Sequence, residues 1–256
     1  MAKIFVITSG KGGVGKTSSA INLGAAINHF GEDVIVVDAN LTTPNIGLHL
    51  GAPIVPVTLN HVLRDEADIQ DAIYKHESGM KIIPSDLSIK ELKKLDFSKL
   101  SNIANKLRDY SEYIIFDSPA GLSQDALNVI DAGDELIIVT NPEIPAVTDA
   151  LKTIKIAEER GKKVRGIILN RIRKIDTEMP LFSVKDMLET PILGLIPEDK
   201  NMQAALSMKN AILHTHPRSK ASKAYMETAA KLIGKSYKAD YGLFNNVLRN
   251  LGLSYY

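Results

Sequence analysis

Short apolar runs rich in valine and isoleucine alternate along the chain with longer stretches of helical periodicity. Most of these runs are apolar nearly throughout, which is typical of strands buried on both faces of a parallel sheet. They cover residues 4–8, 34–37, 81–83, 113–116, 135–139, 166–169 and 192–196. Between the first two runs, Ala20, Leu23, Ile27 and Phe30 form one helical face, and Gly31 stands at the C-cap. The pattern predicts an α/β fold: a doubly wound, mostly parallel sheet with helices on both faces.

The amino-acid composition excludes several classes of protein and of functional site. With 256 residues, 45% hydrophobic and 24% charged, the chain has ordinary globular usage and room for a sizeable core. Lys and Arg number 31 against 30 Asp and Glu, and this balance argues against a protein dominated by nucleic-acid binding. The chain contains no cysteine, which excludes disulfides, thiolate-held metals, iron–sulfur clusters and cysteine nucleophiles.

Nothing in the sequence predicts a membrane span or a secretory signal. No apolar run approaches the ~18 residues that a spanning helix needs. The first eight residues enter a strand-like run and then glycines, without a signal-peptide pattern. We therefore expect a cytoplasmic protein, or one attached to a membrane only from its surface.

Residues 1–234 show no linker, repeat or low-complexity tract, which predicts a single domain. A short polar linker follows at 235–242, and a C-terminal tail at 243–256. Apolar tail residues recur at the spacing of one helical face: Leu243, Phe244, Val247, Leu248 and Leu251.

Two interpretations of the tail stay open at this point. It is either a last helix packed on the domain or a reversible, amphipathic membrane anchor. The polar linker favours the anchor, although Arg249 is the single basic residue on the helix.

Residues 10–17 match the phosphate-loop pattern G-x-x-x-x-G-K-[ST]. The match directly follows the first predicted strand and opens the amphipathic helix. Glycines let backbone N–H groups turn toward phosphate oxygens, and the helix N-terminus adds positive potential. Lys16 is expected to reach the β- and γ-phosphates, and the Thr17 hydroxyl to ligate Mg²⁺. The motif in this setting predicts binding of MgATP.

Two predicted strands end in an aspartate, Asp38 and Asp117. The carboxyl ends of parallel strands meet at one edge of a sheet, so both acids are expected beside the phosphate loop. Asp117 is predicted to hold Mg²⁺ through water, and Gly121 to let the backbone approach the γ-phosphate.

The loop carries a second lysine, Lys11, which a generic phosphate loop does not need. With it, the loop resembles the deviant Walker A motif of the MinD/ParA family of ATPases. Further segments share this resemblance: 38–46 (switch I), 117–121 (switch II), 141–149, 169–171 and 196–199. It covers residues 1 to about 234, and its motifs are specific as a set.

The resemblance implies a phosphate-loop NTPase fold that hydrolyses ATP slowly with ATP/ADP and Mg²⁺ as cofactors. It implies catalytic roles for Lys11, Lys16, Asp38 and Asn40, and Mg²⁺ ligation at Thr17, Asp38 and Asp117. The nucleotide contacts that it implies are Gly10, Lys11, Gly12, Gly13, Val14, Gly15, Lys16, Thr17, Ser18, Gly121, Asn170, Arg171, Pro197, Glu198 and Asp199. In the family, the extra lysine reaches the partner's nucleotide across a dimer interface.

One position departs from the family pattern. Switch I usually reads Asp-x-Asp, and its second Asp handles the attacking water, whereas this chain has Asn40. An amide has no anionic oxygen to accept a proton, but it can still orient a water. Because phosphoryl transfer depends mostly on positioning and charge, Asn40 predicts slow turnover rather than none.

The function that the resemblance implies is an ATP-dependent, homodimerising switch. It would attach reversibly to the cytoplasmic face of the cell membrane through residues 243–251 and position or activate an unidentified regulatory or cargo protein, in cell division site selection. No specific nucleic acid is expected. The alternatives are a ParA-like partition ATPase that coats DNA, a cluster carrier of the same superfamily, and a non-catalytic nucleotide-binding scaffold.

Overall fold

An eight-stranded sheet forms the centre of the protein, whose computed structural model describes residues 2–88, 95–173 and 175–240. Its strands are β1 Lys3–Thr8, β2 Val34–Asp38, β3 Tyr74–Lys75, β4 Lys81–Ile83, β5 Tyr113–Asp117, β6 Glu135–Thr140, β7 Lys163–Ile172 and β8 Ile192–Pro197. They lie in the order β3-β4-β2-β5-β1-β6-β7-β8. All neighbours are parallel except β3 and β4. The predicted doubly wound α/β fold is confirmed.

Helices cover both faces of the sheet. Their bounds are α1 Lys16–His29, α2 Ile46–His49, α3 Leu59–Leu63, α4 Leu100–Leu107, α5 Gln124–Ala132, α6 Ile144–Glu159, α7 Leu181–Leu188, α8 Asn201–Ser207, α9 Ile212–Thr215 and α10 Lys220–Ile233. Short 3-10 helices stand at Ile69–Ala72 and Phe97–Lys99. Helices α1, α9 and α10 pack on one face, and α3 to α7 on the other.

Alternating side chains of each strand supply the two cores. In β1, Phe5 and Ile7 pack toward α1 and α10, whereas Ile4 and Val6 pack toward α4 and α5. All four are at most 1% exposed. This two-sided burial explains why the strands are apolar nearly throughout, as a parallel sheet between two helical layers requires.

The short antiparallel strand β3 was not predicted. It contributes only Tyr74 and Lys75, paired with Ile82 and Lys81, so it has too few residues to show a period-two pattern. Strand β7 extends three residues beyond the predicted run at each end, from Lys163 to Ile172, because Lys163, Arg165 and Arg171 interrupt the apolar pattern. A side chain at Gly166 would meet Leu193 Cγ at 2.6 Å, so the sheet is too tightly packed there for any other residue.

Residues 235–240, predicted as a linker, lie against the domain without regular secondary structure. Tyr237 packs edge-on against Phe30 at the end of α1, with ring centroids 5.6 Å apart. The Lys235 ammonium donates to the Phe30 carbonyl at 2.6 Å and pairs with Glu32. The predicted tail helix lies outside the described residues. No helix in the described part of the chain is both long and apolar enough to cross a membrane.

Gly194 of β8 allows α10 to approach the sheet closely. An added Cβ would lie 2.2 Å from Thr228 Oγ1 and 2.8 Å from Thr228 Cγ2. We expect Gly194→Ala to lower the free energy of unfolding by about 1–3 kcal/mol, because the methyl group overpacks this contact. Urea denaturation measures the change.

Thr228→Ala is the matched second variant, since it removes both clashing atoms. The double variant should lose less stability than the sum of the two single variants. Strict additivity would contradict this account of the α10–β8 contact.

Candidate nucleotide and magnesium site

The loop between β1 and α1 has a backbone that only glycine accommodates easily. Gly13 and Gly15 have φ angles of +78° and +98°, in the left-handed region. A Cβ at Gly10 would lie 2.3 Å from the Asp149 carbonyl oxygen, and one at Gly15 would lie 2.2 Å from Asn170 Nδ2. The loop is therefore pressed between α6 and the end of β7, and it leads directly into α1. The free N–H groups of the first turn of α1 complete a cradle for anionic oxygens.

Lys16 and Thr17 begin α1 and turn toward the end of β5. Lys16 is only 8% exposed. Burial lowers the pKa of its ammonium, and the nearby Asp117 carboxylate opposes that shift. Thr17 Oγ1 donates a hydrogen bond of 2.6 Å to Asp117 Oδ2. The expected cation and hydroxyl thus lie next to the expected acid.

Asp38 and Asp117 stand side by side as register partners on β2 and β5, and both are fully buried. Burial raises the pKa of Asp38 to about 8, and the neighbouring Asp117 charge adds to the shift. Burial also raises the pKa of Asp117 to about 6, against the hydrogen bond from Thr17 and the charge of Lys16. Burial and the neighbouring charge therefore both disfavour ionisation of the two carboxyls at the same time.

The oxygen atoms at this point fit Mg²⁺. Asp117 Oδ1 is buried and has no hydrogen-bond partner, which leaves one acidic oxygen unsatisfied. The described residues contain no group of three or more His, Cys, Asp or Glu side chains arranged around a metal position. The Thr17 hydroxyl and the Asp117 carboxylate suit Mg²⁺, which commonly takes one or two protein oxygens and completes its shell with water and phosphate.

Asp38 anchors the start of switch I. Its Oδ2 accepts backbone N–H bonds from Asn45 at 2.8 Å and Ile46 at 2.9 Å, and its Oδ1 accepts a 3.3 Å bond from the Asn40 N–H. The Asn40 side chain is occupied within the same loop, donating to the Thr43 carbonyl at 2.8 Å. In this conformation Asp38 shapes the loop, and the Asn40 amide holds a turn instead of pointing into open solvent.

The second loop lysine has little to hold it within this chain. The Lys11 side chain is 48% exposed, and its ammonium lies 3.9 Å from Glu143 Oε2. Glu143 is also 3.9 Å from the Arg173 guanidinium, which in turn is 3.7 Å from Glu198. Such exposed pairs contribute little to stability. Lys11 can therefore leave Glu143 for another partner at a small cost in free energy.

Asn170 and Arg171 are placed beside the phosphate loop, at the end of β7. Asn170 is buried, and its Nδ2 donates to the Val14 carbonyl at 2.8 Å. Arg171 has a φ of +55°, and it lines a cavity of about 280 Å³ together with Ser18 and His49.

The last three expected contacts lie at the end of β8. The Glu198 N–H donates to the Ile172 carbonyl at 3.0 Å. Asp199 accepts N–H bonds from Asn201 at 2.9 Å and Ala221 at 3.3 Å, and so joins the end of β8 to the start of α10. Pro197 ends the strand itself. The expected nucleotide contacts after β7 and β8 lie at the carboxyl edge of the sheet. The observed hydrogen bonds of Asn170 and Asp199 are to other groups of the protein.

Comparison with known proteins gives the family. A family model described as "ParA: NUBPL iron-transfer P-loop NTPase" matches residues 1–233. An uncharacterised ATP-binding protein of Methanocaldococcus jannaschii is 40% identical over 93% of this chain and 90% of its own length. The septum site-determining protein MinD of Synechocystis is 30% identical over 98% of this chain and 97% of its own. The chain belongs to the MinD/ParA family of P-loop NTPases.

Solved structures agree with this assignment. MinD of Pyrococcus horikoshii, complexed with Mg-ADP, is 34% identical, with a TM-score of 0.87 over 91% of this chain and 96% of that one. A MinC:MinD complex of Aquifex aeolicus contains a chain that is 28% identical, with a TM-score of 0.84 over 93% of this chain and 99% of that one.

Family membership confirms the ATPase class and ATP/ADP with Mg²⁺ as cofactors. The iron-transfer part of the model's description has no counterpart in these residues. A thiolate-held cluster needs cysteine, and the 256 residues contain none.

Several neighbours of the MinD/ParA site were not predicted from sequence. Ser19 Oγ lies 3.2 Å from the hydroxyl of Tyr225 in α10, and Tyr225 is fully buried. Asn22 bonds the Ile212 N–H at 2.9 Å, which joins α1 to α9. These contacts join segments about 200 residues apart in the chain, and no short-range sequence pattern signals them.

Asp38 should give the protein a specific pH dependence. Its pKa in the folded state is raised from 3.8 to about 8, so its stabilising contribution is complete below pH 3.8 and is lost as the pH rises through about 8. We expect nucleotide-free Asp38→Asn to melt at a higher temperature than the unsubstituted protein at pH 8, and to lose less stability between pH 4 and 8. A one-unit pKa shift corresponds to about 1.4 kcal/mol, or roughly 3–6 °C for a chain of this size.

Calorimetric melting across this pH range measures the effect. Asp109→Asn, at an exposed carboxylate, controls for loss of charge alone. A lower melting temperature for Asp38→Asn at pH 8 would show that the hydrogen bonds to Asn45 and Ile46 need the charged form.

Proposed function

We propose that this protein is a MinD-like membrane switch. It binds MgATP, pairs with a second copy of itself, and attaches through residues 243–251 to the cytoplasmic face of the cell membrane. There it positions or activates a partner protein in cell division site selection. The observation that carries the proposal is Lys11: its side chain is half exposed at the mouth of the phosphate loop, and among the described residues its ammonium makes one ion pair, at 3.9 Å with Glu143.

The relatives support the cellular part of this proposal. The Synechocystis protein is named as septum site-determining, and its match extends over 98% of this chain. The Aquifex MinD chain was solved in a complex with MinC. A MinC-like regulator is accordingly the class of partner that we propose for this protein.

The site residues would promote hydrolysis in two ways, by neutralising charge and by positioning the reacting groups. When bound, Mg²⁺ neutralises charge that develops on the phosphate oxygens. Thr17 and Asp117 would hold it, and the first turn of α1 with Lys16 would bind the phosphates. Asn40 supplies no anionic base, so the attacking water can be oriented but not deprotonated by it. Slow turnover follows, which suits a switch that must persist in one state.

Pairing explains how a weak tail can hold the protein on a membrane. The tail has five apolar residues on one predicted face and one basic residue, Arg249. A single short anchor of this kind gives marginal binding. Two tails on one dimer bind far better, because the second insertion is intramolecular. Nucleotide-controlled pairing would then control membrane residence.

Substitutions of the two loop lysines should distinguish ATP binding from pairing of two copies of the protein. Lys16→Ala should lose ATP affinity, because Lys16 is buried beside the phosphate position. Lys11→Ala should keep ATP binding as a monomer but lose ATP-dependent pairing, and hydrolysis should fall about 10³–10⁵-fold, as expected for a cation supplied in trans. Calorimetry, light scattering and phosphate release measure these properties. Full hydrolysis by Lys11→Ala would contradict the dimer mechanism.

The tail offers a matched pair of variants. Phe244→Glu places a charge on the predicted apolar face and should abolish ATP-dependent sedimentation with anionic phospholipid vesicles. Asn246→Glu adds the same charge to the polar face and should retain most of the binding. ATP affinity should be unchanged in both. Equal loss in the two variants, or steeply salt-dependent sedimentation with DNA instead of vesicles, would contradict the anchor.

A further inference from the structure

A groove runs along the free edge of the sheet, away from the nucleotide site. Strand β8 pairs with β7 and stands at the end of the sheet, and no strand of the described residues lies on its other side. Helix α7 borders the groove from one face of the sheet and α10 from the other. The enclosed volume is about 570 Å³. Its apolar lining consists of Leu181, Pro191, Ile192, Leu193, Leu195 and Ala224.

The outer edge of β8 lacks a strand partner among the described residues. Ile192 and Leu195 of β8 are only half-buried, and the Lys231 ammonium donates to the Leu193 carbonyl at 3.3 Å. Proteins usually protect such edges with charge, proline or a covering segment. The groove is lined by these apolar residues together with the charged residues Lys185, Glu189, Glu227 and Lys231, a combination that suits an amphipathic segment.

The described chain ends beside this groove. The Ala239 N–H donates to Glu227 Oε1 at 3.3 Å, and Glu227 lines the groove. The Lys223 ammonium, one turn earlier on α10, donates to the Asp240 carbonyl. Asp240, the last described residue, therefore lies next to a helix that lines the groove, and sixteen residues of the given sequence follow it.

The remaining chain matches the groove in length and polarity. The groove follows α10 from Ala224 to Lys231, about 10 Å of helix rise. The apolar face from Leu243 to Leu251 would span about 12 Å as a helix. Arg249 is the single Asp, Glu, Lys or Arg residue among residues 241–256, so the segment brings little charge into an apolar groove.

We propose that the α7/β8/α10 groove is the docking site of the protein's own tail, and that residues 243–251 occupy it when they are not in a membrane. The inference rests on the proposed function for what the tail does at a bilayer. One apolar face cannot lie in the groove and in lipid at the same time. Docking therefore lowers the apparent membrane affinity by the fraction of time that the tail is free. The monomer stays off the membrane until pairing makes insertion competitive.

A single tryptophan tests the docking directly, because the chain contains none. We expect Phe244→Trp in the full chain, without nucleotide or lipid, to show blue-shifted emission and weak acrylamide quenching. Adding Ile192→Glu, which places a charge on the groove floor, should shift the emission to the red. Adding Ile54→Glu is the matched control, since Ile54 is 89% exposed in the loop between α2 and α3, and it should change nothing.

Vesicle binding gives the second measurement. If the groove holds the tail about nine-tenths of the time, Ile192→Glu should raise affinity for phosphatidylglycerol vesicles about tenfold. A solvent-exposed tryptophan in Phe244→Trp alone overturns the docking. Emission that is unchanged when Ile192→Glu is added also overturns it. A buried, groove-dependent tryptophan with no vesicle binding by any variant supports the docking and rejects the membrane anchor instead.

Cross-linking keeps the test decisive if Ile192→Glu does not fold. The chain has no cysteine, so Lys185→Cys with Asn246→Cys introduces the only thiol pair. Lys185 is exposed at the groove border. A short bismaleimide should join this pair within one chain, and vesicles with ATP should prevent the reaction. The control pair is Lys106→Cys with Asn246→Cys, with Lys106 exposed on α4. Equal cross-linking of the two pairs, or none at Lys185→Cys, overturns the proposal.

Discussion

The buried hydrogen bond between Thr17 and Asp117 is the interaction on which the site depends. It joins the first turn of α1 to the end of β5 at 2.6 Å and leaves the second oxygen of Asp117 unpaired. An unpaired acidic oxygen in a buried position is costly, and Asp38 beside it increases that cost. A divalent cation and the buried Lys16 ammonium relieve it. The fold thus holds a buried acidic oxygen beside a hydroxyl and an ammonium, which is the donor set that Mg²⁺ and phosphate oxygens require.

Helix α10 connects this site to the C-terminal part of the chain. The hydroxyl of Tyr225 in its middle lies 3.2 Å from Ser19 of α1, two residues after Thr17. Its first turn donates to Asp199, one of the expected nucleotide contacts. Its outer side holds Ala239 and Asp240 through Glu227 and Lys223. Helix α10 therefore contacts both the helix that follows the phosphate loop and the last described residues of the chain.

The sequence predicts most of what depends on local pattern. All seven predicted strands exist, since burial on both faces requires nearly continuous apolar runs, and Asp38 and Asp117 do meet at the sheet edge. The side-chain connections at the site were not predictable. Asn170 bonds Val14, 156 residues away, and this contact depends on how β7 passes the loop. The groove also escaped prediction, because it arises from the order of strands and not from any one segment.

The loop around Asn40 holds this residue at both its backbone and its side chain. Its amide donates to Thr43, and its own N–H donates to Asp38, so both ends of the residue are engaged in the turn that opens switch I. Asp38 also holds the start of α2 through Asn45 and Ile46. Before Asn40 can orient a water, the turn must release its side chain. An amide then contributes position without proton transfer, because it has no anionic oxygen. Slow hydrolysis of this kind is what the proposed switch requires, since its nucleotide state must last long enough for a weak, paired attachment to be useful.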